Sequence, residues 1–367
     1  MTMKSILYIA NVRMPSEKAH GVQIAKTCEA LTRAGAKVDL IVPKRKTPIT
    51  EDVASYYDLK ERFPITKLPV FDTVSWGMPG FLIESFSFAF AVARYIRSRS
   101  GIVYGRDEII LGIISFLTTR EIVWESHTGA WNFFAKRVAH RAKCIVVISG
   151  GLRDFYIMRG ILAERIVVAH DGIDLQAFEH PESKIESRKR LGLSETGLVA
   201  MYIGGFGGWK GTDTLFEASD FLPDAMRMTV IGGTPEEIAQ VQKKYPRIIF
   251  LGSRPYRELA DNQAAADVLV LPTTGKSVIG ARFTSPLKLF AYMASGRPIV
   301  ASDIPSAREV LPDNAAYWFK PDDAKDLAAI IEKAASDLHA SERARIAKGE
   351  VARYTWDARA ASILGHL

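Results

Sequence analysis

The sequence has few cysteines, and their scarcity excludes a disulfide-rich protein and a cysteine-ligated zinc protein. Only Cys28 and Cys144 occur among 367 residues, and each lies in an apolar segment. Two separated cysteines provide neither a disulfide framework nor the paired spacing of a zinc site. We therefore expect both thiols to be reduced and to lie in the core, as in a cytoplasmic protein.

Long apolar runs are also absent. The longest, residues 81–96, contains Glu84, Ser85 and Ser87 and is shorter than the roughly 20 apolar residues that a membrane-spanning helix needs. The strand pattern that begins at Ile6 is too brief for the apolar region of a secretory signal. The sequence therefore predicts a cytoplasmic protein with no membrane span and no signal peptide.

No nucleic-acid-binding motif accompanies the positive charge of the chain. The formal net charge is +7 and the sequence pI is about 9.2, which favours acidic partners such as nucleotides, phospholipid headgroups or nucleic acid. Zinc spacing, aromatic ribonucleoprotein and helix-turn-helix patterns are missing, so we expect no nucleic-acid partner.

The apolar run 81–96 has basic residues at its end, namely Arg94, Arg97 and Arg99. It is either a buried core helix or a helix that makes peripheral contact with an anionic membrane at its inner, cytoplasmic face.

The first forty residues have the order strand, loop, helix, strand. Residues 5–10 form an apolar strand pattern, a loop follows over 11–21, and residues 22–34 have a helical period before the next strand at 37–42. This order predicts a doubly wound parallel sheet, whose ligands bind at the carboxyl ends of the strands. His20 is therefore expected at a functional edge.

The same pattern restarts after a polar segment at residues 179–195, which we interpret as a linker. Apolar strand patterns recur from 198–203 onward, separated by helical stretches, so the chain is expected to be α/β with two Rossmann-like domains. The expected domains are residues 1–180 and 181–351. A C-terminal helix at about 352–367 is expected to pack back on the first domain.

A well-defined helix start at Ser285 is the first candidate site. Ser285 is a good N-cap, Pro286 suits the first helical position, and Gly296 ends the predicted helix 286–295. A helix N-terminus with Lys288 in its first turn suits an anion such as a phosphate. The alternative interpretation is an ordinary core helix.

The glycine cluster at residues 204–211 does not match the known phosphate loops. A dinucleotide fingerprint read from Gly205 needs glycine where Lys210 stands, and a Walker loop ending at Ser277 needs glycine where Val270 stands. These mismatches argue against a nicotinamide enzyme and against a P-loop nucleotidase. Lys210 is then either a cation that reaches an anion or an exposed lysine in a turn.

Taken together, the motifs resemble those of the retaining GT-B glycosyltransferases of glycosyltransferase family 4, over nearly the whole chain. The matching pieces are His20-Gly21, Glu125-Ser126-His127, Asp171-Gly-Ile-Asp174 with Phe178, Tyr202-Ile-Gly-Gly205 leading to Lys210-Gly211, Ile231-Gly232-Gly233, Ser285-Pro-Leu-Lys-Leu-Phe with Tyr292-Met-Ala-Ser-Gly, Pro298-Ile-Val-Ala-Ser-Asp303, and Tyr354-Thr-Trp-Asp. The resemblance implies two Rossmann-like domains that face a central cleft, and transfer of a hexose from a nucleotide sugar.

The resemblance also implies roles for individual residues. His127 and Lys210 would be catalytic, with His127 near the anomeric carbon and Lys210 on the donor diphosphate. The implied donor-binding residues are Gly21, Gly204, Gly205, Gly232, Arg282, Thr284, Ser285, Pro286, Leu287 and Lys288. The implied acceptor-side residues are His20, Arg106 and Glu125. No metal and no cofactor are expected besides the UDP- or GDP-sugar substrate, and the acceptor would be a glycan or a lipid-linked molecule in cell-surface polysaccharide or glycoconjugate synthesis.

The chain departs from the family pattern at two places. The usual loop arginine is replaced by Gly205, and the usual glutamate pair by Phe283 and Ala291, the second of which would bind the ribose. Nearby side chains that could substitute are Arg282, Lys276, Lys288 and Glu309. Two alternatives therefore stay open: an inactive, glycosyltransferase-like binding subunit and a nucleotide-sugar epimerase.

Overall fold

The structure, a computed structural model, describes residues 3–367 and divides the chain into two compact units. The first unit runs up to Gly172 and includes Trp356–Leu367, and the second is Ile173–Thr355. Each unit contains one parallel sheet with flanking helices. The α/β class with two doubly wound sheets, predicted from the sequence, is confirmed.

The first sheet has seven strands in the order β3-β2-β1-β4-β5-β6-β7. Its strands are β1 (Ser5–Ile9), β2 (Lys37–Pro43), β3 (Ile65–Leu68), β4 (Ile102–Gly105), β5 (Ile122–Ser126), β6 (Cys144–Val147) and β7 (Ile166–Val168). All neighbouring strands are parallel. The strand order changes direction at β1, because β2 lies on one side of β1 and β4 lies on the other. Ligands of doubly wound sheets bind at this switch point.

The second sheet has six strands in the order β10-β9-β8-β11-β12-β13. Its strands are β8 (Leu198–Ile203), β9 (Met226–Ile231), β10 (Ile249–Phe250), β11 (Val268–Leu271), β12 (Ile299–Ser302) and β13 (Tyr317–Phe319). Successive residues of β8 face opposite sides: Met201 packs in one core cluster and Tyr202 in the other. The sheet is therefore covered on both faces, as expected for near-continuous apolar strands.

The helices of the first unit are α1 (Ala19–Arg33), α2 (Val53–Tyr56), α3 (Met78–Ile96), α4 (Glu108–Leu117), α5 (Phe133–Arg141), α6 (Gly150–Ile157) and, at the end of the chain, α15 (Trp356–Gly365). Those of the second unit are α7 (Lys184–Leu191), α8 (Thr212–Ala218), α9 (Pro235–Gln242), α10 (Leu259–Ala264), α11 (Leu287–Ser295), α12 (Pro305–Arg308), α13 (Ala324–Ser336) and α14 (Ala340–Glu350). None of the helices in residues 3–367 is long and apolar enough to cross a membrane.

The polar segment interpreted as a linker is instead part of the second unit, and that interpretation was wrong. Ser183 and Glu186 form a capping box that starts α7, which stabilises even a short polar helix. Arg188 of this helix is buried, and its guanidinium donates to Asp267 Oδ2 at 2.6 Å and to the carbonyl of Ala265 at 3.0 Å. The polar composition of the segment did not indicate these contacts, because the partners of Arg188 lie far away in the sequence.

The unit boundaries follow from where apolar side chains are buried. Ile173 and Phe178 are 3% and 5% exposed and belong to the core of the second unit, so the division at Gly172 precedes the boundary expected at residue 180. At the other end, Trp356 and Ile363 of α15 are buried, and α15 packs against α1 of the first unit. The second unit thus extends to Thr355, beyond the expected residue 351.

Candidate functional site

In the second unit, the loop after β8 brings two lysines to neighbouring positions. The Cβ that a side chain would place at Gly204 lies 2.8 Å from Lys288 Nζ, and the one at Gly205 lies 3.0 Å from Lys210 Nζ. The two ammonium groups, here called the lysine pair, therefore lie beside consecutive loop residues. Glycine at 204 leaves room for Lys288, which a methyl group would displace.

Lys288 is held by an aromatic side chain and not by a carboxylate. Its Nζ donates to the Tyr202 hydroxyl at 2.8 Å and lies 4.4 Å from the centre of the Tyr202 ring. Tyr202 in turn donates to the Gly205 carbonyl at 2.8 Å, which ties the loop to the same side chain. In the part of the chain that the structure describes, neither Lys210 nor Lys288 forms an ion pair, so the positive charge of the lysine pair is not neutralised.

The surroundings of Lys288 disfavour its charged form. Burial, together with the charge of Lys210, lowers the pKa of Lys288 to about 7. An anion bound between the two ammonium groups would reverse both effects, because it supplies the missing opposite charge. The lysine pair is thus suited to a multiply charged anion.

Close backbone approach also shapes this loop. A Cβ at Gly232, which follows β9, would lie 2.1 Å from the Gly204 carbonyl oxygen, and Gly232 has φ +126°. Only glycine allows the β8 and β9 loops to approach this closely. Gly204 and Gly232, predicted as donor-binding residues, therefore bring two strand ends together beside the lysine pair.

Helix α11 begins one residue later than predicted. The helix begins at Leu287, so the N-cap is Pro286 and not Ser285, and Pro286 has no side chain that can cap. A π-helical turn, Ile279–Phe283, precedes it and ends at the extended residue Thr284. The backbone N–H groups at the N-terminus of α11 thus lack a side-chain cap, which leaves them suitable for an anionic ligand.

The remaining donor-side residues divide into buried and exposed ones. Thr284 and Ser285 are buried, Arg282 and Lys276 are exposed, and Glu309 is exposed. Ala291, which stands where the family has its ribose-binding glutamate, has 0% exposure and lies in an apolar core cluster. The position is therefore filled by packing and presents no polar group.

In the first unit, His127 follows β5 and is oriented by Glu125. His127 Nε2 lies 2.5 Å from Glu125 Oε1. Burial and the charge of Arg106 lower the pKa of His127 to about 4 in spite of this carboxylate. At neutral pH the imidazole is therefore neutral, Nε2 carries the hydrogen that the carboxylate accepts, and Nδ1 is left with a lone pair.

Glu125 is the centre of a buried polar cluster, here called the Glu125 cluster. It has no exposed surface, and its carboxylate accepts from the Tyr104 hydroxyl and from Gln23 Nε2 at 2.7 Å. Arg359 of α15 forms an ion pair with it, Nη2 to Oε1, at 3.0 Å. Glu125, expected on the acceptor side, is thus fully buried, and its carboxylate holds the His127 ring through the hydrogen bond to Nε2.

The charges of this cluster compensate one another. Burial raises the pKa of the Glu125 carboxyl, but Arg359, His127 and Arg106 outweigh burial and hold the pKa well below its usual range. Burial raises the pKa of Asp171 to about 6, opposed by Arg359. Arg359 is 3% exposed and also donates to the backbone carbonyls of Ala169 and His170. Arg359 is the positive charge that acts most strongly on Glu125.

The expected acceptor-side residues lie beside this cluster. Arg106 Nη1 donates to Gln23 Oε1 at 2.6 Å, and its Nε lies 4.0 Å from Glu125 Oε1. His20 lies in the first turn of α1 and not in a loop, and burial together with Arg106 lowers its pKa to about 4. Gly21 has a packing role, since a Cβ there would lie 2.2 Å from the Tyr57 hydroxyl.

Sequence reasoning missed four participants in these two regions. Three of them, Gln23, Tyr104 and Arg359, hold Glu125, and the fourth, Tyr202, holds Lys288. The available signal was a polar residue at an otherwise buried position of a strand or helix, which does not reveal its partner. Among residues 3–367, no group of three or more His, Cys, Asp or Glu side chains could hold a metal ion.

Comparison with known families identifies the chain. A family model described as Glycosyltransferase Family 4 matches residues 20–177, and one described as Glycosyl transferases group 1 matches residues 197–337. The chain belongs to the glycosyltransferases. Between them the two models cover most of both units, and the family predicted from the sequence motifs is thereby confirmed.

Individual relatives of this glycosyltransferase are distant. TuaC of Bacillus subtilis (strain 168), provisionally named a teichuronic acid biosynthesis glycosyltransferase, is 24% identical over 95% of this chain and 96% of its own length. HepE from Anabaena, solved with UDP and glucose, has a TM-score of 0.77 at 19% identity and full coverage of both chains. Sucrose-phosphate synthase from Thermosynechococcus elongatus has a TM-score of 0.77 at 20% identity, covering 99% and 98%. The likeness to these structures confirms the GT-B fold.

Proposed function

We propose that the protein is a retaining hexosyltransferase that transfers a sugar from a UDP- or GDP-sugar to a hydroxyl group of a glycan or lipid-linked acceptor. The observation that carries this proposal is the lysine pair: two ammonium groups beside a glycine loop, without a carboxylate partner among residues 3–367. The N-terminus of α11 adds a positive dipole end to the same unit. Such groups stabilise the negative charge that develops on a departing diphosphate.

The proposed reaction breaks the bond between the anomeric carbon and the diphosphate oxygen. The acceptor oxygen bonds to the anomeric carbon on the same face, and its proton passes to the diphosphate oxygen that leaves. Lys210 and Lys288 neutralise the leaving group. Neutral His127, with Nδ1 as an acceptor, is proposed to bind a hydroxyl of the donor sugar, and Glu125 holds it in the required tautomer.

We further propose that the leaving group is neutralised without a metal ion, because ammonium groups and a helix dipole supply the positive charge. Turnover is then expected to be unchanged by a chelator and not to require added magnesium. A strict requirement for a divalent cation would refute this part of the proposal while leaving sugar transfer intact.

The acceptor class rests on the B. subtilis relative, whose provisional name places it in teichuronic acid biosynthesis. An acceptor in a cell-surface polysaccharide or glycoconjugate is the corresponding proposal for this chain. Incubation of a labelled UDP-sugar with lipid-linked and free oligosaccharides, followed by NMR of the new anomeric linkage, would test both the acceptor and the retention of configuration. An inverted linkage would refute the retaining mechanism.

A panel of UDP- and GDP-sugars tests the activity itself. Transfer or slow hydrolysis of one donor is expected, together with a rise in Tm on addition of the matching nucleotide diphosphate. Lys210→Ala and His127→Ala should lose turnover, whereas Lys333→Ala, which alters an exposed lysine of α13 outside the proposed site, should retain it. Stabilisation by a nucleotide without any turnover would instead favour the inactive binding subunit, for which the replaced residues Gly205 and Ala291 are the specific observation. If no nucleotide diphosphate raises Tm and no donor is turned over, the proposal is refuted.

A further inference from the structure

The outward face of α3 is apolar and exposed. Met78, Leu82, Phe86 and Phe90 recur at every fourth position and so form one stripe along the helix. They are 70%, 38%, 43% and 59% exposed, and Ile83 beside them is 46% exposed. A stripe of four large apolar side chains on one helix is unusual for a surface that only faces water.

The opposite face of the same helix forms the core. Phe88, Val92 and Ile96 are at most 1% exposed. The apolar run 81–96 therefore has one buried apolar face and one exposed apolar face. The buried face confirms the core-helix interpretation, whereas the membrane interpretation stays a prediction. The core face explains why the helix folds here, but it does not explain the apolar stripe.

The stripe carries positive charge and no negative charge. The helix has one carboxylate, Glu84, which is fully buried and paired with Arg45 Nη2 at 2.5 Å. One turn after Phe90 the stripe continues into Arg94, followed by Arg97, and both arginines are exposed. The exposed face thus changes from apolar at its first turns to basic at its last turn.

We propose that this face of α3 docks on an anionic phospholipid surface. The apolar side chains would enter the boundary between headgroups and acyl chains while Arg94 and Arg97 contact lipid phosphates. Trp76, in the helical turn just before α3, is 70% exposed, and tryptophan favours this boundary because its ring is apolar with one polar edge. The charge favours a lipid surface over a second copy as the occupant, because the same face of a second copy offers Arg94 and Arg97 no exposed carboxylate of α3.

Sedimentation of the full chain with vesicles tests the proposal independently of any enzymatic activity. The protein is expected to bind vesicles that contain phosphatidylglycerol, and to bind pure phosphatidylcholine vesicles much less. Binding should weaken as salt is raised, because salt screens the attraction between arginines and lipid phosphates. Failure of the unmodified protein to bind anionic vesicles, or equal binding to both kinds, overturns the proposal.

Matched variants assign the binding to this stripe. Phe86→Ser with Phe90→Ser should weaken vesicle binding by roughly tenfold or more, since two rings no longer contribute apolar area. The control, Met158→Ser with Leu162→Ser, changes two apolar side chains that are also exposed, 76% and 58%, and should bind like the unmodified protein. Equal loss in the stripe variant and in this control overturns the assignment.

A second pair separates local charge from net charge. Arg94→Gln with Arg97→Gln should weaken binding and flatten its salt dependence. Arg345→Gln with Arg353→Gln removes the same total charge from side chains that are 73% and 74% exposed and should have little effect. If both pairs weaken binding equally, the attraction is diffuse and the docking face is not α3.

A labelling experiment does not depend on the double variants folding. Because Cys28 and Cys144 are buried, an environment-sensitive dye on Phe90→Cys reports on the stripe alone. Its fluorescence should rise with anionic vesicles, while the same dye on Met158→Cys should not respond. No response at Phe90→Cys, or a response to a soluble acidic peptide that is larger than to vesicles, overturns the proposal. The proposal is also overturned if the unmodified protein is a dimer in sedimentation velocity and the double variant Phe86→Ser with Phe90→Ser is a monomer, because the stripe would then bind a second copy.

Discussion

At the scale of single residues, Lys288 combines burial with a like charge. Lysines on a protein surface usually keep their ordinary pKa, but here burial and Lys210 lower the pKa of Lys288 to about 7. The free protein therefore carries a mixture of charged and neutral Lys288 at neutral pH. Only the charged form attracts a diphosphate, so donor binding and protonation of this residue are coupled.

This coupling predicts a pH dependence of nucleotide binding. As pH rises through about 7, free Lys288 loses its proton, so UDP or GDP affinity should fall. A bound diphosphate raises the pKa of Lys288, so binding above pH 7 should take up a proton. Calorimetry in two buffers of different ionisation enthalpy measures that uptake.

Two lysine variants provide the controls for the proton uptake. Lys288→Met should abolish it, and Lys333→Met, which alters an exposed lysine of α13, should preserve it. Unchanged uptake in Lys288→Met would show that another group titrates.

Gly204 allows a second prediction at the residue scale. In Gly204→Ala the new methyl group would lie 2.8 Å from both Lys288 Nζ and the Tyr202 hydroxyl, so the ammonium group must move away from the site. We expect the donor KM to rise by roughly tenfold, which corresponds to about 1.4 kcal/mol, with Tm lowered only moderately. Gly197→Ala, where the nearest neighbour of the added atom is 3.7 Å away, should leave donor KM unchanged. An equal effect in both variants would contradict the steric argument.

At the scale of elements, α15 contributes its charge to a cluster whose other members lie much earlier in the chain. Arg359→Met removes the nearest cation to Glu125 and Asp171 and leaves these buried carboxylates with the weaker compensation of Arg106, whose Nε lies 4.0 Å from Glu125 Oε1. The expected destabilisation is about 3–5 kcal/mol, measured by denaturant unfolding of the first unit. His127 should also lose its fixed orientation, so kcat should fall more than donor KM rises in the fraction that remains folded.

An exposed arginine of the same unit provides the control for this prediction. Arg153 Nη1 lies 3.8 Å from Asp154 Oδ1, and the Arg153 side chain is 42% exposed. Arg153→Met should therefore change the stability of the first unit by less than about 1 kcal/mol. If Arg359→Met were equally mild, the buried ion pair would not be important for the first unit.

Elements that could be predicted from the sequence share a strong local signal. Strands β1, β8 and β11 are continuous apolar runs, and α8 has a clear period after a glycine loop. The edge strands β3 and β13 were not predicted, because a strand of four residues of mixed polarity and a strand of three aromatic residues are too short to show a period. Their pairing with β2 and β12 supplies the backbone hydrogen bonds that local sequence does not indicate.

At the scale of the whole molecule, the net charge of +7 favours anionic ligands. Both a nucleotide sugar and a diphosphate are anions, so their association should be assisted by the field of the protein. We expect kcat/KM for the donor to fall as salt is raised, because screening shortens the range of that field. Steady-state kinetics across a potassium chloride series, with Tm followed in parallel, would measure this. A flat profile would show that donor capture depends on contacts alone.

The sequence by itself determined the α/β class, the two parallel sheets and the family. These rest on apolar runs, glycine turns and short motifs, and each of them is local along the chain. It also placed His127 and Lys210 at the carboxyl ends of β5 and β8, where doubly wound sheets bind ligands.

Only the tertiary structure decided which side chains meet. Arg359 reaches Glu125, and Tyr202 holds Lys288, although each of these pairs is far apart in sequence. It also decided that Ala291 is buried and that one face of α3 is exposed. The physical reason is that burial, hydrogen-bond partners and shifts in pKa depend on distances between elements, and a local pattern contains no information about those distances.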